Sequence, residues 1–116
     1  MLDKVKILKI SEVPAKPVET AEKTFIKVLI TPDEAPTYVM RVFELEPQAH
    51  IPEHKHPWEH EIYMLEGKVK VKVEDEEYVL EPETFIYIPP NKPHEYWNIG
   101  GEKARFICTI PNKPSV

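Results

Sequence analysis

His54-Lys55-His56-Pro57-Trp58-Glu59-His60-Glu61-Ile62-Tyr63-Met64-Leu65-Glu66-Gly67 is the stretch on which the reading of this chain turns. Side chains two apart on an extended strand leave the same face, so His54 and His56 project together. Pro57-Trp58 then turns the chain, and His60 opens a run that returns antiparallel and close by. That run, 59–65, alternates until Glu66-Gly67, and 68–73 comes back from it as a hairpin. A further histidine, His94, stands just after the turn Pro89-Pro90-Asn91-Lys92-Pro93. An i, i+2 histidine pair with two more histidines at matching turns is hard to obtain by chance. Neutral imidazoles in that arrangement suit one divalent transition metal, drawn from Mn, Fe, Co, Ni, Cu or Zn. His50 shares the parity of His54 and His56, but no motif claims it, and it reads as a polar surface residue.

Outward from the histidines, period-two alternation continues on both sides. Runs 24–30, 38–45, 50–56, 76–80, 84–88, 94–99 and 104–110 are broken by turn residues such as Thr31-Pro32-Asp33, Glu46-Pro47 and Gly100-Gly101. That many short strands at this spacing predicts an all-β sandwich or closed barrel in a single domain. Residues 1–23, with Pro14 and Pro17, read as an extended arm or an edge strand added to a partner subunit. The barrel is expected over 24–111, with 112–116 as a tail.

Composition agrees with one small β domain. Of 116 residues, 41% are hydrophobic, enough for a core, and 13 prolines against 3 glycines favour short segments over long helices. The net charge of -5 and the lack of a Lys/Arg run exclude a nucleic-acid footprint. Glu74-Asp75-Glu76-Glu77 reads as a solvated turn. A lone cysteine, Cys108, excludes an internal disulfide framework. No signal-peptide pattern and no membrane-length apolar stretch is seen, so a cytoplasmic, non-membrane protein is expected. The charged fraction of 30%, with one Gln and three Asn, leans toward a thermophile.

These residues resemble a known family. His54-Lys55-His56, three residues, His60, six residues and Gly67 resemble the first cupin motif, HxH, three or four residues, Glu, six residues, Gly. The second cupin motif, G, five residues, PxG, two residues, H, three residues, N, is matched by Pro89, His94 and Asn98 at the same offsets. The resemblance spans about residues 38–110 and implies a cupin double-stranded β-helix, or jelly-roll barrel. Three departures stand out. Gln48, Glu83 and Asn91 replace motif glycines, and the metal-binding glutamate of the family falls on His60. Glu61 is the alternative fourth ligand, but strand alternation points it to the opposite face unless a bulge re-aims it.

The string around His60 is similar to that of small thermophilic cupins with four-histidine manganese sites. The resemblance therefore implies His54, His56, His60 and His94 as ligands, manganese as the first choice of metal, and a homodimer. In those relatives, positions matching Arg41, Phe106, Cys108 and Ile110 lie near the metal. Parity alone places Phe106, Cys108 and Ile110 on one strand face, Arg41 and Phe43 on another, and Ile51 on a neighbouring strand. Arg41 is expected to clamp a carboxylate or enolate of a small-molecule substrate. Cys108 is the other candidate catalytic side chain, though a small buried hydrophobe is the commoner role of such a cysteine. Phe106, Ile110, Ile51 and Phe43 are expected to shape the pocket. Trp58 and Trp97 flank the histidines and could gate its mouth.

The activity expected first is a metal-dependent oxygenase, a (di)oxygenase acting on an unsaturated or enolisable compound. A non-redox isomerase or lyase using the ion as a Lewis acid is the second reading, and a non-catalytic binding module the third. A cupin barrel hosts many chemistries, so the fold alone does not choose among them.

Overall fold

Alternation along the runs becomes alternation of burial. In the computed structural model, which describes residues 3–112, Val69 and Val71 are fully buried while Lys70 and Lys72, which alternate with them, are not. Nine strands form among the described residues: β1 (Lys16–Pro17), β2 (Glu22–Ile30), β3 (Tyr38–His54), β4 (His60–Glu66), β5 (Val69–Val73), β6 (Glu76–Leu80), β7 (Phe85–Ile88), β8 (His94–Asn98) and β9 (Ala104–Pro111). The only helical element among the described residues is a short 3₁₀ turn, Ile10–Glu12.

The strands order as β6-β5-β8-β3-β9-β4-β7, with β2 paired to β3 and β1 to β2. All pairings are antiparallel. The sheet rolls into a nearly closed barrel because β3 belongs to both of its halves. Its first half pairs with β9 from Tyr38↔Pro111 to Leu45↔Ala104, and its second half pairs with β8 from His50↔Trp97 to His54↔His94. The runs 38–45 and 50–56 are thus one 17-residue strand rather than two. Glu46-Pro47 does not end it, because the bend is absorbed at Gln48, whose φ is 71°. That strand stops at His54, so His56 lies beyond it rather than on it.

The motif glycines absent from the sequence are conformationally still present. Gln48, Glu83 and Asn91 adopt φ of 71°, 70° and 65°, the left-handed region that glycine enters freely. For the two that are neither Gly nor Asn this costs about 1–2 kcal/mol each, which the surrounding sheet offsets. Gly67 keeps its glycine at φ 86° for a second reason, since a Cβ there would sit 2.5 Å from the Ala104 Cα.

The core runs through the barrel interior, from Leu45 and Ala49 across Ile62, Met64, Val69 and Val71 to Leu80, Ile88 and Phe106. Asn98 ties the closed end. Its Nδ2 donates to the carbonyls of Leu45, Glu46 and Glu102 at 2.9, 3.1 and 2.9 Å, and its Oδ1 accepts from the Gly100 N–H at 2.9 Å. Full satisfaction of both amide ends is what makes a buried Asn tolerable there.

The N-terminal arm lies on its own chain. β1 pairs with β2, Lys16↔Ile26 and Pro17↔Phe25, and β2 begins at Glu22, so the sheet takes in residues of the expected arm. Lys27 Nζ donates to the Ile10 carbonyl at 3.2 Å, and Lys6 Nζ to the Leu29 carbonyl at 2.9 Å. Lys6 also meets Glu34 at 2.8 Å and holds that carboxyl down at about 2. Of the expected tail 112–116, only Asn112 falls within the described residues.

Candidate metal centre and its cavity

The four motif histidines come together on the inner face of the barrel. His54 closes β3, His60 opens β4 and His94 opens β8, and His54↔His94 are paired residues. The ligand atoms of His54, His56 and His94 all lie within 4.8 Å of one another, a spacing that could hold one metal ion. His60 stands beside this triad, its ring centroid 4.8 Å from that of His94 and 5.4 Å from that of His56. Glu61 is exposed on the opposite face, paired with Tyr87 and Thr109.

Each ring is held so that one nitrogen is left for the centre. His54 Nδ1 donates to the Pro52 carbonyl and His94 Nδ1 to the Lys92 carbonyl, both at 2.8 Å. His60 Nδ1 lies 3.4 Å from the Cys108 sulfur. His56 is oriented instead by stacking on Trp58, with centroids 4.5 Å apart and planes 2° off parallel. The Nε2 atoms of His60 and His94 are buried with no protein partner. Buried polar atoms without partners are rare, and a nitrogen lone pair in that position is what a metal ion satisfies. The donor set therefore fits a divalent transition metal, and its chemistry favours no single one.

Three of the rings, those of His56, His60 and His94, are also poised in the neutral, ligating form. Burial, reinforced first by His94 and then by Arg41, pushes His60 down to about 3. Burial likewise lowers His94 to about 4, against the opposing pull of its hydrogen bond to Lys92, and lowers His56, where the charge of His54 adds to it. The folded values lie below the ordinary 6.5, so the unfolded chain takes up protons first on acidification. Stability should be full above about pH 6.5 and fall progressively toward about pH 3. Thermal unfolding of metal-free protein across that range checks this, and an unchanged midpoint would contradict it.

Beside the histidines opens a cavity of about 470 Å³, lined by Arg41, Phe43, Ile51, Glu53, Tyr96, Phe106 and Cys108 among others. Such a volume suits a small organic molecule. Arg41 Nη2 donates to the Cys108 sulfur at 3.0 Å, and its guanidinium lies 5.0 Å from the centre of the Phe43 ring. No carboxylate among the described residues pairs with Arg41, and its Nε is buried without a partner. Burial pushes the Cys108 thiol up, while the charge of Arg41 pulls against that, so at neutral pH it is a thiol rather than a nucleophilic thiolate.

Five of the six side chains expected around the metal thus line the cavity. Ile110 does not, because it sits near the end of β9 opposite Val39 and packs against the core. Trp97 does not gate the mouth either. It faces outward, stacked on His50 at 5.4 Å, and His50 Nε2 meets Glu95 at 2.6 Å. Residues 18 and 20 of the arm, Val18 and Thr20, close one side of the cavity. Reading by motif missed Tyr96, although its position two residues after His94 places it on the same face.

Comparison with known proteins bears on this site. A family model described as a cupin domain matches residues 41–110. The solved structure of the polyketide cyclase RemF from Streptomyces resistomycificus is 33% identical with a TM-score of 0.89, over 97% of this chain and 83% of that one. The polyketide synthase protein CurC of Streptomyces cyaneus is 31% identical over 78% of this chain. The tetracenomycin polyketide synthase protein TcmJ of Streptomyces glaucescens is 30% identical over 72% of it. The matches span 63% of CurC and 58% of TcmJ, so this chain covers less than two thirds of either. No helix among the described residues is long and apolar enough to cross a membrane.

Proposed function

This chain belongs to the cupin family, and we propose on that footing that it is a metal-dependent, non-redox enzyme. It would act on a small anionic, enolisable carbonyl compound, in the manner of a cyclase or isomerase. The observation that carries the reading is the pairing of neutral, inward-facing imidazoles with an unneutralised Arg41 on one cavity. Cyclisation is placed ahead of oxygenation because three similar proteins at 30% identity or more are polyketide proteins, RemF being called a cyclase. Enolate chemistry also needs no oxidant.

His54, His56 and His94 would hold the ion, with His60 as the fourth donor. When bound, a divalent cation polarises a carbonyl oxygen and eases loss of the neighbouring proton. Arg41 orients an anionic group of the substrate through its remaining N–H bonds. Phe43, Ile51 and Phe106 exclude water and hold the reacting carbons. Glu53 is the one carboxylate among the described lining residues, and it would accept the proton of a C–H flanked by carbonyls.

An anaerobic assay of zinc-loaded protein on a phenolic β-diketone or similar polycarbonyl tests this. Turnover should persist without O2, giving a product of unchanged mass or of one water less. Glu53→Gln should be slower by about a hundredfold. A strict requirement for O2, or a product gaining oxygen, would return the assignment to the oxygenase.

A further inference from the structure

One polar side chain of the cavity wall has no internal partner. Tyr96 is 4% exposed, yet no hydrogen bond joins its hydroxyl to another described residue. The residue is buried but its hydroxyl keeps accessible surface, so with no protein acceptor it opens to the cavity. The ring itself is firmly placed. It stacks on Phe106 at 5.6 Å and 21°, and meets His94 edge-on at 5.7 Å and 82°. Rotation to seek a protein partner is therefore blocked, and the side chain instead lines the cavity together with Arg41 and Cys108.

The neighbourhood also describes the ligand. Phe106 stacks in turn on Phe43, at 5.3 Å and 26°, so Tyr96, Phe106 and Phe43 form a column capped by the Arg41 guanidinium over Phe43. In such a column the ring faces are occupied by one another and the edges are left to border the cavity. Ring edges carry partial positive charge, so they favour the electron-rich face of a conjugated ligand. Arg41 supplies a full positive charge and a buried Nε without a partner. A phenol near neutral pH is an uncharged donor.

We propose that Tyr96 is a substrate-binding residue whose hydroxyl donates a hydrogen bond to an oxygen of a planar, conjugated oxyanion held electrostatically by Arg41. The inference rests on the function proposed above and adds the chemical class of ligand and the residue that selects it. Both the charged oxygen and the flat π-system are required. An aliphatic neutral compound would leave Tyr96 and Arg41 desolvated and unpaired, which is how a polar site rejects a ligand.

Calorimetric titration of protein as purified with 2-naphthoate, a flat aromatic carboxylate, tests the proposal. The parent binds, and Tyr96→Phe binds about tenfold more weakly, as expected for loss of a hydrogen bond to a charged group. The unfolding midpoint and metal content of Tyr96→Phe match the parent, because the ring contacts remain and no internal hydrogen bond is lost. Arg41→Met weakens naphthoate binding at least as much. Equal affinity in parent and Tyr96→Phe overturns the proposal, and so does a parent that binds no naphthoate. A lowered midpoint with unchanged affinity overturns it too, by making the hydroxyl structural. Tyr96-dependent binding in protein that holds no metal supports it and sinks the metal-dependent function instead.

Discussion

Replacing His94 by Ala should lower metal affinity by more than about a hundredfold, because the change removes a ligand rather than the group that merely orients one. His94 belongs to the tight triad, and its Nε2 is buried without a partner. Protein purified without chelator should carry close to one divalent ion per chain, and the His94→Ala protein almost none. His60→Ala is the more informative companion. His60 lies outside the triad, but its ring packs 4.8 Å from His94 and its Nε2 is equally without a partner. If it ligates, its loss should cost at least about tenfold. Mass-spectrometric metal content with a competition titration decides the matter. A His60→Ala protein that binds as tightly as the parent would leave a three-histidine centre with His60 beside it.

Gly67→Ala should be the most damaging added methyl at any of the three glycines. The added Cβ would meet the Ala104 Cα at 2.5 Å, its Cβ at 2.6 Å and the Lys103 carbonyl at 2.9 Å. Two of these three atoms are backbone and cannot rotate away. The φ of 86° adds a left-handed penalty. Overpacking of about 1–3 kcal/mol and strain of about 1–2 kcal/mol together should lower the thermal midpoint by more than about 10 °C. Ala104→Gly in the same protein removes one of the three contacts and should restore part of the loss. Gly101→Ala, which meets nothing within 4 Å, is the control and should be close to neutral. A Gly67→Ala protein as stable as that control would show that the 66–68 turn yields freely.

The gathering of the candidate metal-binding histidines was legible in the sequence because strand parity and turn chemistry both act locally. His54 and His56 two apart, a Pro-Trp turn and a returning strand are enough to bring rings together, whatever the rest of the chain does. His94 joined them by its place just after the Pro89-Pro90-Asn91-Lys92-Pro93 turn, and its offset from Pro89 in the family motif agreed. Glycine positions were legible only in part. Gln48, Glu83 and Asn91 keep the left-handed backbone without the residue that announces it, so substitution hid a conformation that the sheet enforces.

Where the reading failed, distance along the chain was the cause for β3, while for Trp97 it was a local parity left unread. Glu46-Pro47 looked like a stop, yet pairing of β3 with β9 on one side and β8 on the other carries the strand straight through. Trp97 looked like a companion of the histidines, but it is odd in parity to His94 and faces His50 and Lys70 outside the barrel. Ile110 shares a face with Phe106 and Cys108, but it lies farther along β9, past the level of the cavity.

The sequence by itself determined an all-β cupin barrel and the four histidines gathered inside it, since period-two alternation and turn residues are properties of short segments. Only the tertiary structure decided which polar groups those histidines share the cavity with. Arg41 reaches Cys108 across 67 residues of chain, and Tyr96 stacks on Phe106 from a different strand. Parity says which face a side chain takes, but not which strand rolls up opposite it or at what height. Those are set when long-range antiparallel pairs close the barrel, and no local pattern encodes them.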